Sequence, residues 1–281
     1  MSISDIEIKY KNDLFNIYSN NNDQFSIARL KSDQVNGTLQ WLNVNINHFN
    51  GKIFNNTNWN IALSLVLGAK LTNNIKCKIC HAKMDEFGYH SLGCKSLPEL
   101  TLRHNKIRDI LYHWATDAGY HCTKEARATN VSGVPGDLFI KDFDFPDNND
   151  PNIIHQMDLW IDVSMINIYA DSYLRYAQNT LGAAKLRAKN KILKYQNNIK
   201  NKSYNSSIMN SINYGGFNFI PFAMDVTGAI TKQSKIILQR ICLHKSTKSG
   251  IPQSILMNWI RKELNAHLMH YNTKMVIKCI T

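Results

Sequence analysis

The hydrophobic period changes near residue 120, and that change confines the chain to a small set of architectures. Upstream, "PELTLRHNKIRDILYHWATDAG" places Leu102, Ile107, Ile110, Leu111, Trp114 and Ala118 at helical spacing, with Gly119 at the stop position. Downstream, "YHCTKEA", "GDLFIKDF" and "NIIHQMDLWIDVSM" read as three short strands, separated by "RATNVSGVP" and by an acidic loop "DFDFPDNNDPN". A long basic helix is expected from about Ser172 to Asn198. After a loop, "FNFIPFAMDV" reads as a further strand. Two helical patterns, "AITKQSKIILQRICLH" and "IPQSILMNWIRKELNAHL", then precede a last strand in "KMVIKC". Helix, three strands, helix, strand is the order of an antiparallel meander joined to a parallel strand by a crossover helix. The expected class is therefore α/β with a mixed sheet flanked by helices.

The remaining sequence divides the chain into three parts: a small helical region over 1–76, a Cys/His run over 77–98, and the α/β part over 99–281. In the first, helices are expected around "DIEIKYKNDLFNIYS" and "WNIALSLVLGA", and no chemistry stands out. The apolar stretch "IALSLVLGA" is far shorter than the roughly 20 residues a bilayer requires, and the first residues lack the pattern of a secretory signal. A reducing, intracellular setting is expected, in which clustered cysteines are metal ligands more often than disulfides. The formal net charge is +12, from 33 Lys plus Arg against 21 Asp plus Glu, so a polyanion is the first expected partner.

Residues 77 to 94, "CKICHAKMDEFGYHSLGC", answer to a metal. Cys77, Cys80, His90 and Cys94 follow the spacing C-x2-C-x9-H-x3-C, which delivers three thiolates and an imidazole to a tetrahedron, the geometry of structural Zn²⁺. Four protein ligands leave no open position, so the expected zinc braces a loop and performs no chemistry. His81 directly follows Cys80 and is the weaker histidine. Cys122, Cys242 and Cys279 are scattered and read as small buried hydrophobes.

Two strands carry an acid among apolar neighbours: Asp137 in "VPGDLFI" and Asp162 in "DLWIDVSM". A carboxylate there is costly to bury unless paired or metal-bound. On neighbouring strands the two can converge on one Mg²⁺, which takes one or two protein carboxylates and keeps its other positions for water and phosphate. Nuclease sites of the PD-(D/E)XK type combine such an Asp with D/E-x-K on the next strand, inside an αβββαβ restriction-endonuclease-like core. This chain has "PGD" from Pro135 in place of "PD", and Ser164 where the lysine is expected. The following helix, "AAKLRAKNKILKY", offers Lys191 or Lys194 as the replacement that offsets charge on the phosphate. Lys185, Arg187 and Lys189 on the same run suit backbone contacts, and Glu125 in "TKEA" is a further acidic candidate.

With those residues in view, the chain resembles the carboxy-terminal part of site-specific non-LTR retrotransposon proteins that carry a restriction-like endonuclease. The likeness runs through "LQWLN", "WNIALSLVLGAK", the Cys-Cys-His-Cys knuckle, "RHNKIRDIL", "PGDLFI", "DLWIDVSM", "KILKY" and "FNFIPFAMDVTGAI". It implies Mg²⁺-dependent cleavage of DNA; a nuclear setting is expected, and DNA versus RNA stays open as the nucleic-acid partner. Carried over, Asp137 and Asp162 are the metal-binding aspartates, Lys191 takes the relocated lysine's role, and Tyr195 lies near the site. Arg103 and His104, from "RHN", lie on the helix beside the catalytic sheet. Ser164 keeps open a second expectation, a nucleic-acid-binding remnant without catalysis, and a zinc-stabilised module for a protein partner is a third.

Overall fold

The computed structural model describes residues 3–43, 54–73, 76–125, 136–146, 154–199, 212–213 and 217–281. The amino-terminal part contains α1 (Ile3–Asn20), α2 (Gln24–Asp33) and α3 (Asn56–Leu67). Of these, α2 was not expected from the sequence. Its start is fixed by Asp23, whose side chain accepts from the Ser26 N–H at 3.0 Å, and that of α3 by Asn55, which accepts from Asn58 at 2.8 Å.

The α/β part begins with α4 (Glu99–Ala118), which stops at Gly119 in the left-handed region, φ 104°. Then come β1 (Cys122–Lys124), β2 (Leu138–Pro146), β3 (Ile154–Ile166), α5 (Asp171–Ala177), α6 (Gly182–Ile199), β4 (Ile212–Asn213), β5 (Phe217–Asp225), α7 (Lys232–Ser249) and α8 (Gln253–Ile280). The strands form one five-stranded mixed sheet in the order β1-β2-β3-β5-β4. The first three are antiparallel, β3 and β5 are parallel, and β4 is antiparallel to β5. The α/β class and the mixed sheet are thus as the periodicity requires.

Four local expectations need correction. The basic helix is two helices: Leu181 has φ +58°, and a side chain at Gly182 would start only 2.1 Å from the Tyr176 carbonyl oxygen, so α5 cannot run into α6. The final strand does not form, because "KMVIKC" continues α8. Asn272, Met275, Val276 and Cys279 are buried there at intervals of three and four, a period that a short apolar run cannot reveal. The expected acidic loop is partly strand, since β2 continues through Pro146 after a bulge between Ile140 and Phe143, with Phe143 fully buried. Finally, Leu102 is exposed and Arg103 takes its place on the buried stripe of α4, four residues before Ile107.

Alternation along β3 sets the two faces of the sheet. Leu159, Ile161 and Val163 join Leu138, Ile140 and Phe222 in the main core under α4, α7 and α8. Asp162 and Ser164 consequently look to the other face, where α6 packs. A second cluster draws on all three parts of the chain: Trp41, Ala62 and Leu65 pack with Tyr89 and Leu92, and with Tyr169, Ala184, Ala223, Met269 and Val276. The long α8 spans both cores.

Candidate functional site

In the Cys/His run, Lys76 and Lys83 form an antiparallel bridge. Within it the Cys77 N–H donates to Ala82 O at 2.9 Å and the His81 N–H to Cys77 O at 2.9 Å. This tight turn brings Cys80 back beside Cys77, at the cost of a positive φ of 58° at His81, whose side chain stays exposed. The returning limb is a short 3-10 turn, Tyr89–Gly93. Asp85 builds it: Oδ1 accepts from Phe87 and Tyr89 at 3.0 and 2.9 Å, and Oδ2 accepts from His90 at 2.8 Å. The Tyr89 ring stacks on Tyr169 at 3.6 Å, which fixes the turn to the main body.

As a result the ligand atoms of Cys77, Cys80, His90 and Cys94 all lie within 4.8 Å of one another, and Cys80 Sγ is 3.2 Å from His90 Nε2. Among the described residues this is the one group of three or more His, Cys, Asp or Glu side chains so gathered. The electrostatics fit a cation. Burial pushes the Cys77 thiol up, but N–H donors of Cys80 and Ile79, with the thiols of Cys279 and Cys80, bring it down to about 6. Burial, with the neighbouring sulfurs, drives Cys94 up to about 11. Three thiolates repel one another in so small a space, and a divalent ion removes that conflict. The cluster can therefore hold a metal such as zinc. Cys279 is no isolated hydrophobe: it is buried against Cys77 and Cys94, and its carbonyl accepts from Lys78 N–H at 2.9 Å.

The aspartates lie at one end of β2 and along β3. The glycine that interrupts "PD" has a steric cause, because a Cβ at Gly136 would stand 2.7 Å from the Ile161 carbonyl oxygen. Only glycine lets the chain approach β3 this closely, after which the Asp137 N–H donates to Ile161 O at 2.8 Å. Asp137 Oδ2 then accepts from the Val163 N–H at 2.7 Å and from His104 Nε2 at 3.1 Å. The same Nε2 faces Val163 O at 3.1 Å; both neighbours are acceptors, so that nitrogen carries the proton. Burial alone raises the Asp137 carboxyl, yet His104 outweighs it, and the Val163 N–H and the charge of Lys191 assist, leaving it below the usual carboxylate range. Burial likewise lowers His104, while the bond and charge of Asp137 prevail and raise it.

Asp162, 7% exposed, is gripped from the other side. Lys191 Nζ on α6 lies 2.9 Å from each carboxylate oxygen, and Ser164 Oγ donates to Oδ2 at 3.2 Å. The residue in the expected lysine position thus bonds the aspartate itself, while an ammonium arrives from the helix. Lys191 acts on both acids, bonding Asp162 and lowering Asp137 by its charge.

Other anticipated residues stand apart. Lys194 is exposed, and the side chain of Tyr195 lies outside the described residues. Glu125 donates its N–H to Asp137 O at 2.9 Å, but its carboxylate is paired with Arg108. Arg103 turns away from the aspartates, donating to Leu92 O at 3.0 Å and Asn272 Oδ1 at 2.6 Å. Lys185 and Lys189 are exposed on α6, and Arg187 is half-buried. Asp85 and Asn272 escaped sequence reasoning, as did the bond from Ser164 to Asp162. For Asp85 the available signal was an Asp preceding a glycine turn, and for Asn272 a polar residue on the buried stripe of α8.

No family model matches the chain, and no curated protein matches it. Among the described residues, no helix is long and apolar enough to cross a membrane.

Proposed function

We propose that the protein is a metal-dependent endodeoxyribonuclease with a restriction-endonuclease-like αβββαβ core, related to retrotransposon endonucleases and acting on nuclear DNA. The observation that carries this reading is Lys191, supplied by α6 and seated 2.9 Å from Asp162, where the sequence offers only Ser164. Asp137 and Asp162 suit Mg²⁺, which needs one or two protein carboxylates. Bound there, Mg²⁺ supplies an activated water and charge stabilisation for an in-line displacement at phosphorus.

The chain's own residues complete the constellation. His104 and the Val163 N–H engage Asp137 Oδ2, so Oδ1 is the oxygen left for the cation. Ser164 orients Asp162, and Lys191 is placed to offset negative charge on the scissile phosphate. Lys185, Arg187 and Lys189 line α6 for contacts to the phosphodiester backbone, consistent with the net charge of +12. The knuckle supports the fold with Zn²⁺.

A second reading, a nucleic-acid-binding protein without catalysis, is favoured by the same ion pair, because an ammonium seated on Asp162 already satisfies its charge. Incubation with supercoiled plasmid separates the two. Nicking that requires Mg²⁺ or Mn²⁺ and disappears in Asp162→Asn supports the nuclease; retardation of DNA without nicking supports the binding protein. Retention that barely weakens with added salt, or none, contradicts both, since several phosphate contacts impose a steep salt dependence.

A further inference from the structure

Arg103 and His104 are adjacent on α4 and face opposite tasks. Arg103 is 1% exposed. Its Nη2 holds Leu92 O at 3.0 Å, and Leu92 sits between the ligands His90 and Cys94. Its Nη1 holds Asn272 Oδ1 at 2.6 Å, and Asn272 in turn donates to Val226 O at 2.8 Å, just past the end of β5. One residue on, His104 fixes Asp137 Oδ2 and Val163 O, both at 3.1 Å. A helix of 20 residues packed into the main core shifts as a unit, so what moves Arg103 moves His104.

The buried guanidinium has a physical reason to depend on the knuckle. Burial lowers Arg103 to about 10, which leaves it a cation at neutral pH. Among the described residues no carboxylate pairs with it, its Nε has no partner, and its acceptors are neutral carbonyls. A buried charge so poorly compensated is costly. A divalent ion held by three thiolates and a neutral imidazole carries one net negative charge, and this lies two residues either side of the carbonyl that Arg103 grips. Without the ion, His90 and Cys94 are no longer tied to one centre, and the Leu92 carbonyl between them is free to shift away from Arg103. Metal occupancy therefore changes the energy of the Arg103 position, which is what coupling between two sites requires.

We propose that Arg103 and His104 are positioning residues through which metal at the knuckle sets the carboxylate of Asp137. The inference rests on the reading of Asp137 as a ligand for the nuclease cation. Its most direct reporter is the Val163 amide, whose hydrogen is held by Asp137 Oδ2 at 2.7 Å.

The test uses the full chain in four states: zinc-loaded; stripped by a chelator that is then dialysed away; zinc-loaded Arg103→Met; and zinc-loaded His104→Ala with His104→Gln as the conservative partner. Amide exchange is read at Val163 and at Leu159 in the same strand, and Mn²⁺ binding is titrated by its paramagnetic signal. Stripping, Arg103→Met and His104→Ala should each speed Val163 exchange about tenfold more than Leu159 exchange, and weaken Mn²⁺ binding by about tenfold. His104→Gln, which keeps an N–H donor, should recover most of both. Unchanged Val163 exchange on stripping overturns the proposal, as does an equal rise at Leu159, which means general loosening. A zinc-loaded wild type that binds no Mn²⁺ defeats the nuclease reading instead, and Val163 exchange then still decides the coupling.

Discussion

The knuckle and the aspartate pair are both built to gather negative groups, yet they are assembled in opposite ways. Every knuckle ligand comes from residues 77 to 94, and a turn plus one capping carboxylate, Asp85, brings them within 4.8 Å. The aspartate site draws Asp137 from the start of β2, Asp162 from β3, His104 from α4 and Lys191 from α6. A local cluster of thiolates repels itself until a cation arrives, whereas the dispersed site is already neutralised by its own imidazole and ammonium. The first is shaped by one short turn and its cap; the second takes its members from four separate elements and sets an imidazole and an ammonium against its carboxylates.

The largest effect expected from this contrast is at the knuckle. Cys94→Ala should abolish stoichiometric zinc binding and lower stability by more than about 3 kcal/mol, because the remaining sulfurs lose the ion that reconciles them. Zinc content and thermal denaturation measure it. Removal of the metal from the wild type should produce a similar drop, and no drop would put the two sites on the same footing.

Next comes the aspartate side, where the damage should fall on chemistry and spare the fold. Asp162→Asn should reduce plasmid nicking by at least about 10³-fold while preserving the zinc content. Lys191→Ala should cost about 10²-fold and Lys194→Ala about twofold or less, since of the two only Lys191 reaches a carboxylate among the described residues. Comparable losses in both lysine variants would remove the assignment of Lys191.

A smaller effect concerns pH. Asp137 titrates below its ordinary 3.8 in the folded protein, so its contribution is present above that value and is lost as pH falls through the folded pKa. His104 titrates above 6.5, so its contribution is complete below 6.5 and is lost as pH rises through its raised pKa. Melting temperature in metal-free buffer should therefore decline on both sides of the interval between them. His104→Gln should flatten the alkaline decline, a change of about 1 kcal/mol or less for a partly exposed pair. An unaltered alkaline limb would mean that the His104 and Asp137 charges do not interact in solution.

The same contrast governs what could be read from the chain beforehand. The knuckle was legible because its ligands are neighbours and their spacing is the geometry. The meander and the parallel strand followed from hydrophobic alternation, and Asp137 and Asp162 stood out as acids in apolar strands. Which lysine reaches Asp162 was left open between Lys191 and Lys194 by the residues themselves, although the resemblance named Lys191, because it depends on the break at Leu181 and Gly182, which sets how α6 lies on the sheet. Arg103 was placed on the helix beside the sheet from its string, and its position on the α4 stripe, four residues before Ile107, marks it as buried; its bond to Leu92 depends on how the knuckle packs against α4 and was not legible. The last apolar run was read as a strand because so short a run does not display the three- and four-residue spacing at which Asn272, Met275, Val276 and Cys279 are buried in α8.

The central claim is that Asp137 and Asp162 share one divalent ion at the edge of β2 and β3. Anomalous scattering from crystals soaked in Mn²⁺ tests it most directly. The account predicts a single strong manganese peak within coordination distance of a carboxylate oxygen from each aspartate, with Lys191 withdrawn from Asp162 and the knuckle sulfurs around a separate zinc. A manganese ion bound to one aspartate alone, or no peak beside either while Lys191 stays on Asp162, would contradict it.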